Sequence, residues 1–138
     1  MNEVVSLVSE IDLNEAILQL QSDDSGAVNI FVGTVRNHSN GKQVIELEFE
    51  AYEPMALAEM KKLTKTVLAK WQLNKVVILH VIGTKQVGEP VVFIGTASAH
   101  RSDSFAACRF LIDELKRTVP IWKKEYYSDN SIWVNAHP

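Results

Sequence analysis

Residues 44–52 read VIELEFEAY: Ile45, Leu47, Phe49 and Ala51 alternate with Glu46, Glu48 and Glu50. This period of two marks a half-buried strand, with one face toward a core and the other toward water. Pro54 follows at once and suits the first turn of a helix. Beyond it Leu57, Met60, Leu63, Val67, Leu68 and Trp71 form an apolar stripe, with Lys61, Lys62 and Lys65 outside it. A half-wet strand leading into an amphipathic helix is the first sign of an α+β chain.

Working outward, Asp12 and Glu15 fit an N-cap and its capping-box partner, and Leu13, Ala16, Ile17 and Leu20 continue a helical stripe until SDDSG at 22–26. GAVNIFVGTVR at 26–36 is β-branched and aromatic and reads as a strand, and HSNGK at 38–42 reads as a turn. Two more apolar runs, VVILHVIG at 76–83 and PVVFIGTASA at 90–99, read as strands with TKQVGE as a turn between them. Ser102 is placed to cap a helix through Phe105, Cys108, Leu111, Ile112 and Leu115, which Pro120 ends. The tail from Ile121 suggests a short strand, a turn at SDN and another short strand. With no repeat and no linker, residues 1–138 form one α+β domain with a mostly antiparallel sheet and three helices.

Composition fits that reading. The 138 residues are enough for a core without disulfides, and 46% hydrophobic with 22% charged residues is an ordinary globular balance. The one cysteine, Cys108, cannot form an internal disulfide, no signal-like segment opens the chain, and no apolar run approaches the roughly 18 residues of a membrane span. A reducing cytoplasm is the expected setting. A net charge of -3 gives no general reason to bind nucleic acid or an anionic membrane.

That charge is unevenly placed. From His100 to Lys124 six Lys and Arg face three acids, a local +3 that leaves -6 for the remainder. KRTVPIWKK at 116–124 gathers four of these cations around a proline and a tryptophan. Such asymmetry suggests a local anion site. His100 and Arg101 lie between an apolar strand and a helix start, where free amides and the helix dipole favour an anion and Arg offers a bidentate fork. Arg36 closes the first long strand and would bring a second guanidinium to the same anion if that strand lies beside the one ending at Ala99. Lys116 falls in the last turn of its helix; Lys123 shares a strand face with Ile121 and is partly desolvated if that face is buried. A lysine near other cations in such a place loses its proton more easily and can act as acid, base or nucleophile. Solvated loop, edge and helix-end charges are the commoner explanation for each residue taken singly.

Other patterns fail. The four histidines, His38, His80, His100 and His137, have no metal-ligand spacing, and the glycines near GTVRNHSNG and GTKQVGE match no phosphate or dinucleotide fingerprint. Cys108, Trp71 and Phe105 read as core.

FVGTVRNHSNGKQVIELEFEAYEPMA, then TASAHRSDSFAAC, then LKRTVPIWKKE, stand in the order and spacing of the MoaE family, the large catalytic subunit of molybdopterin synthase. The chain resembles that family from about Gly26 to Trp133, and AHR combined with LKxxxPIWKKE is the specific part. The resemblance implies an α/β-hammerhead fold and sulfur insertion into cyclic pyranopterin monophosphate to give the dithiolene of molybdopterin. The sulfur would come from a thiocarboxylate on the Gly-Gly tail of a small ubiquitin-like subunit, with the large subunit a homodimer at the core of a heterotetramer. Arg36, His100 and Arg101 match the family's pocket for substrate phosphate and pterin, and Lys116 and Lys123 match its catalytic lysines. No metal or redox cofactor is implied. His137 stands where the resemblance leads one to expect an arginine reaching the neighbouring subunit's phosphate, a contact histidine makes only when protonated.

Two other classes compete with this reading. A non-catalytic adaptor would capture the carboxylate tail of a ubiquitin-like partner and yield no product. A single-stranded nucleic-acid platform built on Trp122, Tyr126 and Tyr127 would show steeply salt-dependent binding, against the acidity of the remaining chain.

Overall fold

The two apolar runs become the centre of the structure, a computed structural model that describes residues 2–138. The chain order is β1 (Glu3–Val8), α1 (Leu13–Leu18), β2 (Ala27–Thr34), β3 (His38–Ser39), β4 (Lys42–Ala51), α2 (Glu53–Lys70), β5 (Lys75–Val81), β6 (Gly83–Gln86), β7 (Pro90–Ser98), α3 (Arg101–Thr118), β8 (Ile121–Tyr127) and β9 (Ile132–Asn135). One sheet has the order β1-β5-β7-β2; the other runs β3-β4-β8-β9, with β6 also paired to β4. All pairings are antiparallel except β1 on β5. This is an α+β fold with three helices.

Strands β5 and β7 are buried almost throughout because both faces of their sheet are covered. Helix α3 packs on β7 and β2, and α2 packs on α3 and β1. From the other side Phe49 of β4 reaches the ring of His80 in β5. Continuous apolar sequence is what two-sided burial requires, whereas the wet outer face of β4 explains its alternating glutamates. The result is one apolar core that includes Phe49, Met60, Ile78, Phe93, Leu111 and Ile121.

Local signals act as expected at several places. The Asp12 carboxylate accepts a hydrogen bond from the Glu15 amide at 3.2 Å, capping α1. Pro54 sits in the first turn of α2, and Ala56, Met60, Leu63 and Val67 are its buried face. Pro120 follows α3 directly, so the chain turns a sharp corner into β8, leaving Lys116 before the corner and Lys123 after it.

One strand was not foreseen, and four expectations are corrected. Residues 3–8 form an edge strand whose parallel pairing to β5 the sequence reading did not anticipate. TKQ is no turn: Gly83, at φ 109, kinks the chain after β5 so that β6 leaves the first sheet and joins β4 of the second. A register shift between Val44 and Glu46 buries Val44 and leaves Ile45 45% exposed, so the alternation of β4 holds only from Leu47 onward. The N-cap of α3 is His100, not Ser102. Phe105 is 57% exposed in the first turns of α3 rather than core, and Trp71 is half-buried against Phe110, ring centroids 5.7 Å apart.

Candidate active site

Lys123 is the third residue of β8, opposite Phe49 of β4. Ile121, Lys123, Glu125 and Tyr127 share one strand face. Ile121, Glu125 and Tyr127 are buried, which draws Lys123 inward until only 19% of its side chain is exposed. Glu125 supplies the counter-charge, its Oε1 3.7 Å from Lys123 Nζ. The Ser39 hydroxyl donates to the same oxygen at 3.2 Å, and the Tyr127 hydroxyl donates to Oε2. A buried carboxylate satisfied on both oxygens is a rigid anchor for the ammonium beside it.

Across the corner, Lys116 reaches the same space from the last turn of α3. The residue is exposed, and its Nζ donates to a backbone oxygen of Pro138, the last residue of the sequence, at 3.2 Å. Arg36, just past β2, completes the set. The three cations line one cleft of about 250 Å³, walled by Phe31, Leu47, Phe49, His80, Val91 and Val92, with Pro138 at its edge. No Asp or Glu side chain is among its described lining residues. A smaller hollow of about 50 Å³ adjoins it, sharing Arg36, Leu47 and Lys123 and adding His38, Ser39 and Glu125. Burial, then the charges of Lys123 and Arg36, hold the Lys116 ammonium below the usual lysine range.

His100 and Arg101 are elsewhere. β2 and β7 are neighbours, as the shared-anion idea required, but they run antiparallel: Ala27 pairs with Ser98 and Thr34 with Pro90. Arg36 therefore leaves the sheet at one end and His100 at the other, roughly 23 Å apart at the usual rise per strand residue. Within one chain the expected joint grip of Arg36, His100 and Arg101 on a single anion does not form. His100 and Arg101 instead line a separate hollow of about 500 Å³ with Gly26, Ala27, Ala99 and Ser102, at the N-terminus of an 18-residue helix. His137 is exposed, and its backbone amide donates to Asn135 Oδ1 at 3.2 Å; its neighbour Pro138 is the residue that lines the cleft.

Two residues of the site escaped the sequence reading. Glu125 was within reach, since it follows Lys123 at the strand period. His80 gave a fainter signal, one polar residue inside the buried run KVVILHV. Cys108 is core as expected: its thiol donates weakly to the Ile94 carbonyl, and burial pushes it up to about 11, far from a thiolate nucleophile. Among the described residues no group of three or more His, Cys, Asp and Glu side chains is placed to hold a metal ion, and no helix is long and apolar enough to cross a membrane.

A fold of two packed sheets with a cation-lined cleft at the α3–β8 corner has a charge suited to anionic guests. The comparisons narrow that class. The profile described as MoaE protein matches residues 8–118. The molybdopterin synthase catalytic subunit of Dictyostelium discoideum is 46% identical over 88% of this chain and 78% of its own length. That of Arabidopsis thaliana is 40% identical over 95% of this chain, which spans 66% of the plant protein. A crystal structure of molybdopterin synthase from Staphylococcus aureus superposes with a TM-score of 0.88 at 32% identity, covering 99% of this chain and 96% of that one. A complex of subunits 1 and 2 of molybdopterin-converting factor from Helicobacter pylori shares the fold, with a TM-score of 0.80 at 20% identity over 97% and 93% of the two chains. The chain belongs to the MoaE family, the family of molybdopterin synthase catalytic subunits, and is on that ground an enzyme of molybdenum cofactor synthesis.

Proposed function

We propose that the cleft of Arg36, Lys116 and Lys123 transfers sulfur from the thiocarboxylated C-terminus of a small ubiquitin-like subunit to cyclic pyranopterin monophosphate, giving the dithiolene of molybdopterin. The observation that carries this is the convergence of three cations from three separate segments on one cleft with no Asp or Glu side chain among its described lining residues. Mutual repulsion among them is offset when anions arrive, and this reaction brings two, a phosphate and a thiocarboxylate.

Lys116 already donates to an oxygen of Pro138, the last residue of the sequence, at the cleft's edge, the kind of acceptor that the end of a partner's tail presents. In the reaction Lys116 and Lys123 hold the tail against the pterin side chain and stabilise or protonate the oxygen and sulfur species formed as sulfur adds. Glu125 keeps Lys123 in place. The small partner subunit is supported by the two-subunit complex of the Helicobacter pylori protein.

His100 and Arg101 enter this scheme from a second copy. They form a phosphate-suited hollow that lacks the lysines, at the far end of the sheet from a lysine cleft that has one guanidinium. Exposed Val28, Ile30 and Phe105 neighbour that hollow in sequence and offer apolar area for a homodimer contact. Such a dimer would form the core of a heterotetramer with two small subunits. His137 is available as a further phosphate contact when protonated. The setting is the cytoplasm, where a thiocarboxylate and the Cys108 thiol stay reduced.

The test mixes the protein with thiocarboxylated small subunit and the cyclic pterin, then assays dithiolene product for wild type, Lys116→Ala and Lys123→Ala. Product from wild type and strong loss in the variants is expected. Partner binding without product would favour the adaptor reading, and near-normal turnover in both variants would remove the lysines from the mechanism.

A further inference from the structure

His80 is a buried base on the wall of the cleft to which the scheme above gives no task. It lies within β5, 1% exposed, and its ring meets Phe49 edge-on with centroids 5.1 Å apart. Its Nδ1 is 2.8 Å from the Val81 carbonyl oxygen. A carbonyl only accepts, so Nδ1 carries the hydrogen, and in the neutral ring Nε2 holds the lone pair. Burial lowers the imidazole to about 4 despite the Val81 bond, and the charge of Lys116 adds to that, so the ring is neutral at physiological pH.

Among the described residues Nε2 has no hydrogen-bond partner, while the ring lines the cleft in company with Lys116. The charged side chains of the lining, Arg36, Lys116 and Lys123, can only donate while protonated. The Thr34 hydroxyl does both, but Thr34 is exposed. On this wall of the cleft His80 therefore offers a fixed lone pair amid donors and apolar side chains, apart from the Pro138 oxygen that Lys116 already engages at the edge. Cations suit the anionic groups of a guest and say little about how its neutral ring is turned; an acceptor at a fixed atom reads a donor at a fixed place.

We infer that His80 Nε2 is a substrate contact, receiving an N–H of the pterin heterocycle and so setting the orientation of the ring while the cations hold its phosphate and the incoming tail. This rests on the reading of the cleft as the pterin site.

The experiment uses the assembled synthase with two variants. His80→Asn keeps a donor near the Nδ1 position and has no acceptor near Nε2; His80→Gln places an amide oxygen near Nε2. The expected result for His80→Asn is a pterin KM raised roughly ten- to a hundred-fold, with the KM for the small subunit unchanged. His80→Gln recovers part of the loss, which a purely structural role at Nδ1 would not produce. In wild type labelled with ¹⁵N-histidine, saturating cyclic pyranopterin monophosphate should shift the Nε2 resonance toward that of a hydrogen-bonded lone pair. An unmoved Nε2 resonance, or pterin KM values within about twofold of wild type in both variants, overturns the inference. If wild type itself makes no product, the functional reading fails and this contact with it; turnover with silent His80 readouts sinks the contact alone.

Discussion

Arg36, Lys116 and Lys123 on one side, and His100 with Arg101 on the other, are two groups of cations alike in charge and unlike in surroundings. The first group is gathered by tertiary structure from the end of β2, the end of α3 and the middle of β8, against apolar walls, with Glu125 fixing one member. The second group is two consecutive residues at a helix start, open to solvent. Packing lowers the proton affinity of Lys116 and turns Lys123 inward, whereas sequence adjacency gives His100 and Arg101 only a dipole and free amides. Arg36 and Lys116 are exposed as His100 and Arg101 are, so the difference lies in packing: an inward-turned Lys123 beside a Lys116 of lowered proton affinity can exchange protons and stabilise developing charge, and an Arg with a His can hold a phosphate.

The sharpest way to break this division is to remove a lysine. Lys123→Ala should lower sulfur transfer by about 10²–10⁴-fold, and Lys116→Ala by a similar or smaller factor, in single-turnover assays with both substrates saturating. Losses confined to KM would place the lysines with the phosphate grip instead.

The buried imidazole sharpens the contrast through stability. His80 has its folded pKa depressed from 6.5 to about 4, so the unfolded chain binds a proton that the folded one refuses. The stability this provides is whole above about pH 6.5 and is lost as pH falls toward 4, about 3 kcal/mol in all. Urea unfolding from pH 7 to pH 4 should show that decline in wild type and a flatter profile in His80→Gln. Removing the grip should cost less: Arg101→Ala should raise the pterin KM by roughly ten-fold or somewhat more, with affinity for the small subunit unchanged. The smallest effect expected is on pH dependence. Because Lys116 sits below the usual lysine range, affinity for the carboxylate tail should decline as pH rises, at lower pH than for an ordinary lysine. Lys116→Arg should abolish that slope in a titration of tail peptide, since guanidinium stays charged.

Much of the fold was legible because its signals are local. Asp12, Pro54 and Pro120 mark helix boundaries, and the glutamates of β4 mark a wet face. What was illegible depends on partners distant in the chain. Residues 3–8 become a strand by pairing with β5, more than sixty residues on. β6 exists because Gly83 turns the chain toward β4, and Ile45 faces solvent because of a register shift against β8. The site divides in the same way. Lys116 and Lys123 flank one corner, so their sequence proximity survives folding. Arg36 and Arg101 were linked by strand neighbourhood alone, and strand direction, which the sequence does not state, separates them. His80 and Glu125 gain their importance from what surrounds them.

The most direct test of the account is complementation between two impaired variants. Lys123→Ala and Arg101→Ala proteins are mixed one to one, exchanged through mild denaturant, and assayed with thiocarboxylated small subunit and with cyclic pterin well below the wild-type KM, where the raised KM of Arg101→Ala leaves it about a tenth as active as wild type. If each working site takes its lysines from one copy and Arg101 from the other, half the dimers are mixed and one of their two sites is intact. Activity should then rise to about a quarter of wild type. A mixture no more active than the mean of its two components would contradict the account.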